Sequence, residues 1–201
     1  MFYFVFFRVL SWLNLFMPEL IENYVPQAFV KQRKRQAFFA WGLVFLIALV
    51  WIGLIVSAPL ARANNFTGFA DSLYAFFGYV CHQIPERSFH VHEFPFAVCT
   101  RCSGFYFGFL LGLIVYPLFR SLENIEPFPR FWLFLAIVPM GIDWSLGFFG
   151  IWENTDVSRS LTGLIPGFAC AVFIVPALAE ISRFFVDRKV KRLSRRQPFC
   201  I

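Results

Sequence analysis

Charged residues are scarce in this chain of 201 residues. They make up 15% of the sequence, against about a quarter in an average soluble domain, whereas hydrophobic residues reach 59% and phenylalanine alone occupies 30 positions. This composition excludes an ordinary soluble protein and indicates a chain that lies in lipid. Short segments of alternating polarity are also lacking, which argues against a transmembrane β-barrel.

Four apolar stretches are long enough to cross a bilayer as helices, since a hydrocarbon layer requires roughly 20 mostly apolar residues. They run from Phe38 to Leu60, Phe94 to Phe119, Phe131 to Phe149 and Leu161 to Ile181. The sequence therefore predicts an all-α integral membrane protein. Its four-helix transmembrane domain would cover residues 37–182 and would carry an outer loop of cysteine and histidine at residues 61–94.

Basic residues are concentrated in two clusters, Lys31 to Arg35 before the first predicted span and Arg183 to Arg196 after the last. They are not spread over a soluble face with interleaved aromatics, so nucleic acid is not an expected partner. Basic residues near span ends favour the cytoplasmic side. We expect a multi-pass protein of the cell inner membrane with both termini in the cytoplasm, including a basic tail at 183–201. Membrane lipids are expected partners, because such clusters contact anionic headgroups.

The first 36 residues lack the basic start and the small-residue cleavage site of a secretory signal peptide. Arg8, Ser11 and Asn14 are spaced by three in an otherwise apolar run, which predicts an interfacial helix followed by a cytoplasmic connection. Beyond the first span, Gly68 to Val80 is too short to cross and has one apolar face. It predicts a short amphipathic helix at the outer surface.

Three thiols and three imidazoles fall within one short segment, at Cys81, His82, His90, His92, Cys99 and Cys102. Thiolate and imidazole are ligands that zinc prefers, and C-x-x-C with a distant Cys-His pair fits four-coordinate binding. Cys99 and Cys102 stand three apart at the mouth of the second span and can reach one ion. We expect Cys81 and His82 to complete a zinc site, with His90 and His92 as the alternative imidazoles.

Two other interpretations of the thiols remain open. A C-x-x-C pair at a helix start favours the reactive thiolate form. Four spans with this pair at the outer mouth of the second resemble the disulfide-bond formation protein B and vitamin K epoxide reductase families, which implies electron transfer from an outer dithiol to a bound quinone. This chain has a single outer loop cysteine, Cys81, where those families use two. The third interpretation is a structural disulfide from Cys81 to Cys99 or Cys102.

Two spans carry small residues at intervals of four, Gly104, Gly108 and Gly112 in the second span and Gly163, Gly167 and Ala171 in the fourth. Small residues so spaced let two helices approach closely in lipid. We therefore expect spans two and four to touch along these faces. Such faces, with the excess of aromatics, also allow a third functional class, a small subunit or assembly factor that packs against partner subunits.

Asp143 lies about two-thirds of the way along the third span, where a carboxylate is costly unless it is paired or hydrated. We expect Ser158 to cap the fourth span and Arg159 to pair with Asp143, to share a catalytic role with it, or both. If zinc activates water, Asp143 is the candidate general base, and Arg87, Arg101 or Arg159 would bind an anionic group such as a lipid phosphate. The protein would be an enzyme only if the metal keeps an open position.

Three motifs and one intramembrane Asp resemble an uncharacterised prokaryotic membrane-protein family, the domain of unknown function 2085. The motifs are C-H-Q-x-x-E-R-S-F from Cys81, V-C-x-R-C-S-G-x-Y-x-G from Val98 and R-x-x-T-G from Arg159, and the Asp lies between the second and the third. The positions of this chain that match the motifs of the family are Cys81, His82, Gln83, Arg87, Ser88, Cys99, Arg101, Cys102, Gly104, Tyr106, Gly108, Asp143, Arg159, Thr162 and Gly163. This chain differs from the family pattern after the intramembrane Asp, where it has Trp144 and the family has Gly. The resemblance implies a location for the site and no activity.

Overall fold

A computed structural model of the chain describes residues 27–122 and 124–196. Its five α-helices are α1 (Gln27–Ala63), α2 (Thr67–Gly78), α3 (Thr100–Phe119), α4 (Phe131–Phe148) and α5 (Asp156–Arg196). Between α2 and α3 lie a 3₁₀ helix, Pro85–Arg87, and two short antiparallel strands, β1 (His90–Val91) and β2 (Phe94–Pro95). The interfacial helix predicted near the N-terminus lies outside the described residues.

In the described ranges, four helices are long and apolar enough to cross a membrane, namely α1, α3, α4 and α5. The predicted all-α, membrane-embedded class is therefore confirmed. The short helix α2 is the predicted amphipathic helix, and its apolar face buries Ala70, Leu73 and Phe77. It packs against α1 and ends just before Cys81.

The predicted start of the second span at Phe94 is wrong. Phe94 and Pro95 form β2, and α3 begins only at Thr100. The chain reverses in a tight hairpin at His92 and Glu93, which both have positive φ values of 50° and 68°. Because this hairpin consumes the residues before the helix, Cys99 stands at the position that caps α3.

The helices of the first and last spans, α1 and α5, extend beyond their predicted bounds. Residues 27–36, expected as a cytoplasmic connection, are helical and continuous with the rest of α1. The helix α5 begins at Asp156, so the predicted cap at Ser158 is wrong. The cap is Thr155, whose Oγ1 accepts a hydrogen bond from the Ser158 N–H at 3.1 Å. At 41 residues α5 is about 60 Å long, twice the hydrocarbon thickness, so its basic end must project from the bilayer.

The helices α3 and α5 form the closest pair in the bundle. Each of four glycines faces a backbone carbonyl of the other helix, with Gly104 against Ser160, Gly108 against Leu164, Gly163 against Arg101 and Gly167 against Phe105. A Cβ atom at any of these positions would collide with the facing carbonyl. The predicted contact between spans two and four is thus confirmed, and it depends on the missing side chains.

A hydrogen bond ties α1 to α3 where a proline interrupts the ladder of α3. Pro117 has no N–H, so the carbonyl of Leu113 loses its partner four residues on. The indole N–H of Trp41 donates to that carbonyl at 3.0 Å. An unpaired carbonyl is expensive in lipid, so this bond stabilises the junction of the two helices.

We expect Gly108→Ala to lower the stability of the bundle by about 1–3 kcal/mol, because its new methyl group would strike the Leu164 carbonyl. Thermal unfolding in detergent measures the change. The matched control is Gly42→Ala on α1, where a Cβ meets nothing within 4 Å. That control should be neutral or slightly stabilising, since alanine favours helix. Equal unfolding temperatures for the two variants would contradict the close packing of α3 and α5.

Candidate metal centre

Three thiols from two segments meet at one end of the bundle. The Sγ atoms of Cys81, Cys99 and Cys102 all lie within 4.8 Å of one another. Cys81 is buried, the other two are partly buried, and all three are free thiols. Sulfurs that share a tetrahedral zinc ion at about 2.3 Å would be about 3.8 Å apart. Small side-chain adjustments therefore suffice to bring these sulfurs onto one ion.

Two side chains hold the Cys81 segment against the segment that precedes Cys99. The Gln83 side-chain amide donates hydrogen bonds to the carbonyls of Tyr74 and Ala97, both at 2.8 Å. The Tyr74 hydroxyl donates to the carbonyl of Pro95 at 2.5 Å. Burial raises the pKa of the Tyr74 phenol, against a smaller opposite effect of the Arg62 charge, so the phenol stays protonated and can donate.

Hydrogen bonds favour negative charge on the sulfur of Cys81. The thiols of Cys102 and Cys99 donate to it and hold the pKa of the Cys81 thiol well below its ordinary value, although burial acts in the opposite direction. The backbone N–H of Cys99 adds a further bond to Cys81 Sγ at 3.2 Å. The N-terminus of α3 points its helix dipole at the same place. The thiolate, which is the form that binds metals and attacks electrophiles, is thus favoured at Cys81.

The predicted ion pair between Asp143 and Arg159 is wrong. Asp143, whose side chain is 9% exposed, pairs instead with Arg101 in the first turn of α3. The Asn154 side-chain amide also donates to the Asp143 backbone carbonyl at 2.6 Å and to its carboxylate at 3.2 Å. Arg159 lies 3.9 Å from the carboxylate of Asp156 on its own helix. The reason is geometric, because Asp143 on α4 faces the start of α3 while Arg159 faces a cleft.

This cleft has a volume of about 970 Å³ and lies between the Cys81 loop, the starts of α3 and α5, and the end of α4. It is lined by all the predicted site residues except Asp143, namely Cys81, His82, Arg87, Cys99, Arg101, Cys102 and Arg159. Asp143 lies behind Arg101. The structure brings the predicted residues together at one cleft and places Asp143 next to it.

The histidines stand apart from the sulfurs. His82 is exposed and lines the cleft, but it does not belong to the group of donor atoms within 4.8 Å. His90 and His92 are exposed on the hairpin. Ligation by His82 stays a prediction, and it would require the imidazole to turn toward the thiols.

Two residues of the site escaped the sequence analysis. Gln83 matched a motif position, yet nothing in its sequence context indicated that it bridges two carbonyls. Asn154 was missed altogether, and its sole signal is an amide in a short loop between two apolar spans. Both act through backbone geometry, which a pattern of residue types does not encode.

The fold and site define a membrane-embedded helical protein with a cluster of three cysteines at one end of its bundle. The chain belongs to the family described as Predicted membrane protein (DUF2085), which matches residues 81–173 and so covers the whole cysteine cluster. The resemblance found in the sequence motifs is thereby confirmed.

Two archaeal relatives extend this similarity. An uncharacterized protein of Methanocaldococcus jannaschii is 34% identical over 144 residues, which are 69% of this chain and 92% of the relative. An uncharacterized protein of Methanothermobacter thermautotrophicus is 36% identical over 98 residues, 48% of this chain and 85% of the relative. No solved structure matches the chain significantly.

Removing the charge of Asp143 should be costly, since it leaves Arg101 partly buried without its counter-ion. We expect Asp143→Asn to destabilise the protein by about 3 kcal/mol, and Arg101→Gln in the same background to recover part of that loss. Unfolding temperatures of the single and double variants in detergent measure the coupling. The matched control is Asp71→Asn, which breaks the exposed pair with Arg62 and should change little. Equal losses in the two Asn variants would show that the Asp143 pair is energetically unimportant.

Proposed function

We propose that the protein is an integral membrane metalloprotein in which the thiolates of Cys81, Cys99 and Cys102 hold a zinc ion. One observation supports this most directly, namely that three free thiols from segments 18 positions apart converge within 4.8 Å. Thiolate is a preferred zinc ligand. Three protein ligands leave a fourth position for water, for substrate or for a reoriented His82.

An open fourth position suits a metal-dependent membrane enzyme. Zinc held by these three thiolates would supply a nucleophile, because a bound zinc ion lowers the pKa of a coordinated water. Arg159 and Arg87 line the same cleft and can bind an anionic group of a substrate. The general-base role predicted for Asp143 would require its ion pair with Arg101 to open. With the pair closed, Asp143 acts as a positioning residue that orients Arg101.

A second candidate function is a quinone-linked thiol-disulfide oxidoreductase. A separate apolar cavity of about 320 Å³ lies between α1 and α3, and Trp51 and Tyr106 line it. Tyr106 stands one helical turn after Cys102, which puts the cavity next to the thiols. In this reaction two thiols would form one disulfide, and their two electrons and two protons would convert a quinone in the cavity to a quinol.

The cysteine cluster is proposed to face the non-cytoplasmic side of the cell inner membrane, with both termini in the cytoplasm. Support comes from the direction of the helices, since the basic residues 31–35 and 183–196 lie at the ends of α1 and α5 that are remote from the cleft. Basic residues favour the cytoplasmic side.

The glycine faces that suggested partner subunits pack against each other within the chain. A role as a small subunit would therefore have to use another surface, and the little-buried helix α4 is the candidate.

Metal analysis of protein purified in detergent should find about one zinc ion per chain. The content should fall to near zero in Cys99→Ser and stay unchanged in Cys170→Ser, a control cysteine on α5 outside the sulfur group. The measurement also detects copper and iron, which thiolates bind as Cu(I) and in iron–sulfur clusters. Retention of zinc in His82→Ala would indicate an open site, and its loss would indicate His82 as the fourth ligand.

A metal-free wild-type protein would contradict the metal centre. If the alkylation pattern of its cysteines also changed with added reductant, the oxidoreductase would be favoured instead. Zinc that persisted in Cys99→Ser would place the ion elsewhere in the chain.

The orientation can be tested with single cysteines introduced at the two ends of the bundle in a Cys170→Ser, Cys200→Ser background. Glu153→Cys, at the mouth of the cleft, should react with a membrane-impermeant maleimide in intact cells of the expression host. Lys31→Cys, exposed at the basic end, should react only after permeabilisation. The same background without either cysteine corrects for labelling of the native thiols. The reverse pattern would overturn the proposed orientation.

A further inference from the structure

The cleft has two chemically different walls. Its floor is polar and carries the three thiols, Arg101 and Arg159. Its wall on α4 is aromatic, where Trp144 stacks on Phe148 with ring centroids 5.2 Å apart and an angle of 17° between the planes. These rings are 55% and 70% exposed, although they line a cleft with a charged floor. A ligand that fills it would need both an ionic and an apolar part.

The aromatic wall faces a part of the bundle that protein leaves open. The helix α4 packs against α5 and scarcely touches α3. The ion pair of Arg101 with Asp143, which lies next to the cleft, links α3 to α4. Of the four spans α4 is the least buried. The described chain therefore covers little of α4 on the side of α3, and this leaves room for an apolar ligand beside the helix.

Charge in the cleft favours an anion at Arg159. The Arg101 charge is matched by Asp143, whereas the largely buried Arg159 has its carboxylate partner Asp156 at a long 3.9 Å. Two carboxylates, Glu86 and Glu153, also line the cleft, but both are exposed, whereas Arg159 is largely buried. A guanidinium with incomplete neutralisation is a strong site for a phosphate oxygen.

We infer that the cleft binds a membrane lipid with a phosphomonoester headgroup, its phosphate on Arg159 and its acyl chain along Trp144 and Phe148. This inference rests on the proposed function in that the lipid would be the substrate presented to the metal. A soluble phosphate compound would leave the aromatic wall unused. A zwitterionic lipid would bring a cationic group to the floor beside Arg159.

Lipid binding can be tested on the intact purified protein by native mass spectrometry in detergent, with dioleoyl phosphatidic acid as the probe. We expect saturable binding of one lipid, weakened roughly tenfold by Arg159→Gln and about fivefold by Trp144→Ala. Two matched controls lie at the other end of α4, Arg130→Gln and Trp132→Ala, both exposed in the structure. These controls should bind as the wild type does.

A competition experiment on the wild type needs no variant to fold. Lysophosphatidic acid should displace the bound lipid, whereas inorganic phosphate, glycerol 3-phosphate and lysophosphatidylcholine should not. Displacement by glycerol 3-phosphate would overturn the assignment to a lipid, and displacement by lysophosphatidylcholine would overturn the need for an anion. Equal weakening by the site variants and their controls would overturn the location.

Zinc analysis of the same samples separates the two proposals. Selective lipid binding by zinc-free protein would support the lipid site and contradict the metal centre. Zinc at one ion per chain without selective lipid binding would support the metal centre and contradict the lipid site.

Discussion

The close approach of α3 and α5 is the contact on which the rest of the structure depends. Lipid offers no hydrophobic drive to bring helices together, so their association relies on packing at short range. Gly163 faces the carbonyl of Arg101, and Gly104 faces that of Ser160. The crossing therefore places the start of α3, with its capping residue Cys99 and with Cys102 in the first turn, beside the first turn of α5, with Arg159.

Around that crossing, the site is assembled by polar groups that satisfy one another. Gln83 spans two backbone carbonyls, and Asn154 braces Asp143, which in turn holds Arg101. In a region of low dielectric each such bond is strong, and each unpaired group would be costly. The thiols are thus held in place by a network whose members lie on α2, α3 and α4, in the loop before α3 and in the loop between α4 and α5.

Hydrophobicity was sufficient to predict the spans, and cysteine spacing was sufficient to predict the cluster. The apolar runs of α1, α4 and α5 have no competing structure, because about 20 apolar residues in lipid must pair their backbone groups internally. Cys99 and Cys102 were found because two cysteines three positions apart at a helix start can reach one point, here from the capping residue and the first turn. Glycines at intervals of four predicted the α3–α5 contact for a similar reason, since the period of the helix sets the spacing.

Pairings between distant segments could not be predicted in the same way. Arg159 was predicted as the partner of Asp143, and only the relative placement of α3, α4 and α5 selects Arg101 instead. The start of α3 was misplaced because Phe94 and Pro95 are as apolar as the helix that follows, while the turn at His92 and Glu93 depends on backbone angles. His82 lies beside Cys81 in the sequence, yet adjacency along the chain does not aim two side chains at the same point.

The differing sequence separations within the site impose an order on its assembly during synthesis. The cysteines all emerge from the ribosome in one short stretch, so they can meet as soon as α3 enters the membrane. Asp143 follows Arg101 by 42 positions, and Arg159 comes later still. Until α4 and α5 have been inserted, Arg101 lacks Asp143 as its counter-ion, and the glycines of α3 lack the helix that packs against them. Synthesis from the N-terminus therefore supplies all three sulfur donors before the residues of α4 and α5 that complete the cleft.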